Sequence, residues 1–187
     1  MEDHQAIPLA IAGDQRAFGV LIGRYKHMVY TVARRVLRND MDAEEVTQDT
    51  FVKAFRRLSE FQGSGKFSTW LYSIAYRTAI SALRNRKEHN TSTEDLQATG
   101  RDPSQDPAPF TNDRKAVLEW ALSTLPAEDA GLMTMFYLEE LSVEEIVTVS
   151  GLGASNVKVR LHRSRKKLFE MLQHHLKEEA WTLITNE

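Results

Sequence analysis

At 187 residues, 42% hydrophobic and 27% charged, the chain can form one medium domain or two small ones, and its composition is that of a globular protein. It has no cysteine, which excludes a disulfide framework, a cysteine-based zinc site and a thiol nucleophile, and suits a reducing cytoplasm. The N-terminus carries acids where a signal peptide needs a basic region, and no apolar run approaches the roughly 20 residues of a membrane span. A cytoplasmic chain with no membrane insertion is expected.

Net charge is −2, but the charges are sorted. Residues 51–87 hold eight Lys or Arg against one acid, Glu60, whereas residues 116–157 hold seven acids and no Lys or Arg. Residues 151–168, "GLGASNVKVRLHRSRKKL", then bring six Lys or Arg, one His and no acid. Such asymmetry guides the choice of partner more than the total does.

In chain order, Phe18, Leu21, Ile22, Tyr25, Val29, Val32, Ala33 and Val36 recur at three- and four-residue steps and predict a long amphipathic helix. Asn39-Asp40 reads as a turn. Asp42 is the expected cap of the next helix, with Glu45 as its capping-box partner and Val46, Thr50, Phe51, Ala54, Phe55 and Leu58 facing inward. "FQGSGKFST" breaks the pattern, and a further helix from Trp70 to about Arg86 buries Leu71, Ile74, Ala75, Ala79 and Leu83. Residues 88–112 carry three prolines and a surplus of acids, and read as a linker. Helices resume at Asp113, with Thr124 as a capping candidate ahead of Pro126. Ser142 caps a short helix with Glu145 at the box position; a Gly-Leu-Gly turn and a cap at Ser155 open a long final helix. No strand is predicted.

A capped helix, a glycine turn and a second amphipathic helix make a helix-turn-helix. In the second helix Val157, Leu161, Ser164 and Leu168 share a packing face. Lys158, Val159, His162 and Arg163 form the opposite face, from which base edges in a major groove are within reach. Arg165, Lys166 and Lys167 suit backbone phosphates. Farther upstream, Phe61, Phe67, Trp70, Tyr72 and Tyr76 alternate with Lys66, Arg77, Arg84, Arg86 and Lys87. Aromatics among cations suit single-stranded nucleic acid, and the glycine-rich loop suits a base rotated out of its stack.

With "GDQRAF" (13–18), "DAEEVTQDTFVKAF" (42–55), "KFSTWLYSIAYR" (66–77) and "LSVEEIVTVSGLGASNVKVRLHRSRKKL" (141–168) in this order, the chain resembles the extracytoplasmic-function sigma factors of bacterial RNA polymerase. The resemblance implies an all-α chain of two small helical domains, 1–87 and 113–175, joined by a flexible acidic linker, 88–112, that threads toward the RNA path. Residues 176–187 lie beyond it. It further implies that Asp42, Glu44, Glu45, Val46, Gln48, Asp49 and Phe51 dock on the clamp helices of the largest polymerase subunit. Lys66, Phe67, Ser68, Thr69, Trp70, Tyr72, Tyr76, Arg77, Ile80, Ser81 and Arg84 would open and read the −10 region. Ser155, Asn156, Lys158, Val159, Arg160, His162, Arg163, Arg165 and Lys166 would read the −35 duplex. The flap region of the polymerase, met by the C-terminal domain, and an anti-sigma factor complete the implied partners.

The chain departs from the family pattern at Arg77 and Ser81, where Asn and Asp often stand, and at Ser155-Asn156 ahead of Val157-Lys158. The alternative is a helix-turn-helix regulator with an all-helical sensing domain, which leaves residues 61–87 unexplained. No catalytic residue, metal site or cofactor is expected, and His174-His175 reads as a helix end.

Overall fold

A computed structural model describes residues 1–63, 65–92 and 114–185. The helices are α1 (Asp3–Ile11), α2 (Gln15–Leu37), α3 (Asp40–Arg56), α4 (Phe67–Ser92), α5 (Arg114–Ser123), α6 (Ala127–Tyr137), α7 (Val143–Ser150) and α8 (Ala154–Thr185). Among the described residues there is no strand. The expected linker lies mainly outside the described residues, from 93 to 112, and residues 88–92 continue α4 instead.

Helix α2 starts where Asp14 Oδ1 accepts the amides of Arg16 (2.8 Å) and Ala17 (3.2 Å), satisfying donors that a helix N-terminus leaves open. Most of its predicted stripe is buried, with Phe18, Leu21, Val29, Val32, Ala33 and Val36 all within 9% of full burial, while Ile22 and Tyr25 are half-buried. Arg38 closes it in the left-handed region, φ +56°. The cap of α3 is Asn39, whose Oδ1 accepts the Asp42 amide at 3.0 Å. This corrects the expected Asp42 cap: the helix begins at Asp40, so Asp42 already lies in its first turn. Helices α2, α3 and α4 pack together, and α1 lies against α2. A core of Leu21, Phe51, Leu58, Phe67, Leu71 and Ile74, among others, sits between them.

In the second half, Ser142 Oγ accepts the Glu145 amide (3.2 Å) and Glu145 Oε2 accepts the Ser142 amide (2.9 Å), the predicted capping box of α7. Gly151 ends that helix at φ +75°, a conformation glycine adopts without a Cβ penalty. Two expected caps are corrected. Thr124 is buried and donates to the Ala121 carbonyl (2.7 Å) rather than capping α6, and α8 begins at Ala154, one residue ahead of Ser155.

The halves do not stand apart. Helix α6 packs on α2 and α7 packs on α4. Val36, Tyr72 and Tyr76 of the first half share one apolar cluster with Leu125, Leu132, Met133, Ile146 and Val149 of the second. Gly131 makes this approach possible: a Cβ there would lie 2.9 Å from Tyr76 Cε2 and 3.4 Å from Val36 Cγ2.

Candidate functional site

The aromatic-basic segment forms the start of α4 and the loop before it. Phe67 is buried, with its ring 5.4 Å from Phe61, 5.4 Å from Trp70 and 5.5 Å from Tyr25. Trp70 is half-buried, whereas Tyr72 and Tyr76 are 2% and 5% exposed. Burial, with the Glu139 carboxylate adding to it, raises the Tyr72 hydroxyl above its ordinary pKa; burial and then Glu128 do the same for Tyr76. The expectation of accessible rings is therefore corrected for both tyrosines, which the second half covers. Lys66, Arg77, Ser81 and Arg84 are exposed, Ser68 and Ile80 half-buried, and Thr69 buried. Lys66 Nζ lies 3.2 Å from Glu145 Oε1, Thr69 Oγ1 donates to the same oxygen at 3.0 Å, and Arg77 Nη2 donates to the Thr148 carbonyl at 3.2 Å. The Ser142 amide first, and Lys66 and Thr69 after it, hold the Glu145 carboxyl below its usual value.

Beside this loop lies an open cleft of about 1210 Å³, lined by Asp3, His4, Ile7, Arg24, Tyr25, Phe61, Gln62, Lys66 and Phe67 among others. Arg24 and the Tyr25 hydroxyl both donate to Asp3, tying α1 to α2. Burial and the bond to Asp3 push the Tyr25 hydroxyl up to about 12. The sequence reading missed α1 and its residues at this cleft. The only signal was the spacing of Ala6, Ile7 and Ala10, and Pro8 interrupts it.

The helix-turn-helix is α7–Gly151–α8. Val157, Leu161, Ser164 and Leu168 are buried, as predicted, and Ser155, Asn156, Lys158, Val159, His162, Arg163, Arg165 and Lys166 are exposed. Val159 is 43% exposed, an apolar side chain on a cationic face. One cation belongs elsewhere. Arg160 is half-buried, with Nη2 2.8 Å from Glu128 Oε2 and Nε 3.0 Å from Asp129 Oδ1, so it ties α8 to α6. Lys167, itself exposed, donates from Nζ to the Thr124 carbonyl at 3.0 Å. Burial alone would lower the Arg160 pKa, and the two carboxylates outweigh it and raise it. Arg160→Met should therefore lower the melting temperature by stranding two acids. It should weaken binding to all duplexes in proportion to lost fold, with no change in sequence preference; a selective change in preference would return Arg160 to the reading face.

On α3, Val46 and Phe51 are 5% and 7% exposed, and Asp42 is paired with Arg86 at 2.9 Å. Val46 and Phe51 are corrected as surface groups, because the helix face that carries them meets α2 and α4, whereas the Asp42 side chain stays 37% exposed. Glu44, Glu45, Gln48 and Asp49 are exposed. They flank apolar residues the reading assigned inward or passed over: Met41 (80% exposed), Val52 (48%) and Phe55 (49%). Met41, Gln48, Val52 and Phe55 follow three- to seven-residue steps that bring them to one side of the helix. Phe55 packs edge-on against Phe18 at 5.0 Å and leaves the rest of its ring in solvent.

Residues 21–89 match the family described as Sigma-70 region 2, and residues 116–168 match Sigma-70, region 4. The RNA polymerase sigma-H factor of Pseudomonas aeruginosa is 30% identical over 187 residues, 95% of this chain and 97% of that protein. The ECF RNA polymerase sigma factor SigW of Bacillus subtilis is 30% identical over 173 residues, 86% of this chain and 91% of that protein. Among solved structures, RpoE of Bartonella quintana in complex with the anti-sigma factor NepR has a TM-score of 0.70 at 20% identity, covering 83% of this chain and 96% of its own. CnrH in complex with the cytosolic domain of CnrY has a TM-score of 0.66 at 24% identity, covering 92% and 97%.

Proposed function

Because the chain belongs to the extracytoplasmic-function sigma factors, which bind core RNA polymerase and direct it to promoters, we propose a division of that work among three of its surfaces. The exposed stripe of α3, with Glu44, Glu45, Gln48 and Asp49 around Met41, Val52 and Phe55, docks on the clamp helices of the largest subunit. Acids beside apolar groups suit a basic, partly apolar partner. The loop and start of α4, with Lys66, Trp70 and Arg77 beside the open cleft, open the −10 region and hold the displaced strand. The exposed face of α8 reads the −35 duplex, and the C-terminal domain meets the flap. The observation that carries this reading is the coexistence of an exposed cationic recognition helix and an aromatic-cationic loop on one chain. Duplex reading needs the first and strand capture the second.

The chemistry of RNA synthesis is left to the polymerase, and the chain works in the cytoplasm. Among the described residues no helix is long and apolar enough to cross a membrane. An anti-sigma factor is a further partner on this reading, supported by the solved neighbour RpoE, which is in complex with the anti-sigma factor NepR. The test is to map transcripts that core polymerase starts on genomic DNA with and without the purified chain. Starts sharing a −35 and a −10 element are expected; duplex binding with no affinity for core polymerase would overturn the reading in favour of a helix-turn-helix regulator.

Val159 gives this reading a finer test. A β-branched side chain gains nothing in water, whereas a thymine methyl in the major groove would give it contact. Val159→Ser should weaken binding only to −35 elements with thymine at one position, and uracil there should abolish the difference between the two proteins. Binding curves for both proteins on both templates complete the cycle, and no coupling between side chain and methyl would remove the contact.

A further inference from the structure

Resting on that reading, we propose that Tyr137 is a positioning residue for the −35 contact: its ring holds the Arg165 guanidinium where a DNA phosphate meets it. Lys158, His162 and Arg165 follow one another at steps of four and three residues, so Arg165 continues the exposed row of α8 away from its N-terminus. The first turns of a recognition helix reach base edges, and a cation farther along meets the phosphate rim of the groove. An unheld arginine in that place samples many rotamers and forfeits them on binding. Here the guanidinium carbon of Arg165 stands 5.8 Å from the centroid of the Tyr137 ring, which reduces that loss before DNA arrives.

The ring is a fixed platform. Tyr137 ends α6, where the amides of Leu138 (2.9 Å) and Glu139 (3.2 Å) both donate to the Thr134 carbonyl. The Leu141 amide then donates to the Met135 carbonyl at 3.0 Å, closing the turn beneath it. Phe136 packs edge-on against Tyr137 with the centroids 4.9 Å apart, and 47% of Tyr137 stays exposed. An acid in the place of this ring would orient Arg165 equally well but neutralise it, as Glu128 and Asp129 do to Arg160. Among the described residues Arg165 pairs with no carboxylate. A neutral ring positions the cation and leaves its charge and its N–H groups to the phosphate oxygens.

The test measures binding of the full chain to two labelled duplexes, one with the −35 element found by transcript mapping and one unrelated. Arg165→Gln should weaken both alike and lower the slope of log affinity against log salt by about one. Tyr137→Leu should weaken both by about fivefold, the size of one exposed cation–ring contact, with helicity retained in circular dichroism. Tyr137→Phe, which keeps the ring and drops the hydroxyl, should bind as the parent chain does. In the Arg165→Gln background Tyr137→Leu should change nothing further, because the group it positions is gone. That arm separates positioning from general damage to the fold, which would add to any loss. The proposal is overturned by no loss with Tyr137→Leu, by a loss that Tyr137→Phe shares, or by a loss that persists in full beside Arg165→Gln. An unmoved salt slope in Arg165→Gln overturns it as well, by removing Arg165 from phosphate. Transcript mapping that finds no starts defeats the promoter reading and the proposal with it; starts together with parental binding by Tyr137→Leu defeat only the positioning role.

Discussion

Exchanging Val52 for Glu together with Phe55 for Ser should cost about 2–4 kcal/mol of affinity for core RNA polymerase, roughly 30- to 1000-fold. Both side chains leave about half their surface in solvent, and they stand beside exposed Glu44, Gln48 and Asp49. Large apolar groups so placed lose nothing when a partner covers them and gain from the water they shed. The thermal midpoint should fall only modestly, because neither residue belongs to the buried clusters and the edge contact of Phe55 with Phe18 is the main packing lost. Val46→Ala supplies the contrast: buried in the core, it should lower the midpoint and reduce polymerase binding only as far as the fold is lost. Measured by titration of labelled chain with core enzyme, unchanged affinity in the Val52/Phe55 variant would move the docking surface off this stripe.

The second large effect falls on strand opening. Trp70→Ala should slow open-complex formation on duplex promoters by about 5- to 150-fold, the equivalent of roughly 1–3 kcal/mol for one stacked base. Of Trp70, Tyr72 and Tyr76, Trp70 keeps exposed surface, at the edge of the glycine loop and next to Phe61 and Phe67. A template already melted across the −10 region should recover most of the rate. Damage to folding would slow both templates alike, so the ratio of the two rates isolates stacking from packing. Failure of the melted template to rescue would remove Trp70 from strand opening.

Much of this molecule was legible before any coordinates. The heptad-like spacing of α2, the Ser142–Glu145 box, the glycine at position 151 and the buried face of α8 are local features, set by residues within a turn or two of each other. Local hydrogen bonds and a 3.6-residue period are sufficient to specify them. The sorting of charge along the chain likewise pointed to nucleic acid without reference to shape. Where local chemistry offered two near-equivalent choices the reading erred by a turn, as with Asn39 against Asp42. Tertiary structure decided the rest. Whether Phe51 or Phe55 faces solvent depends on the rotation of α3 against α2 and α4, and both are apolar. Whether Arg160 reads DNA or holds Glu128 and Asp129 depends on where α6 lies, since an arginine is equally suited to phosphate and to carboxylate. The cover over Tyr72 and Tyr76 joins residues more than fifty positions apart, through an approach that Gly131 permits by lacking a side chain. A periodic pattern records that a face is buried, and the partner that buries it is found only in space.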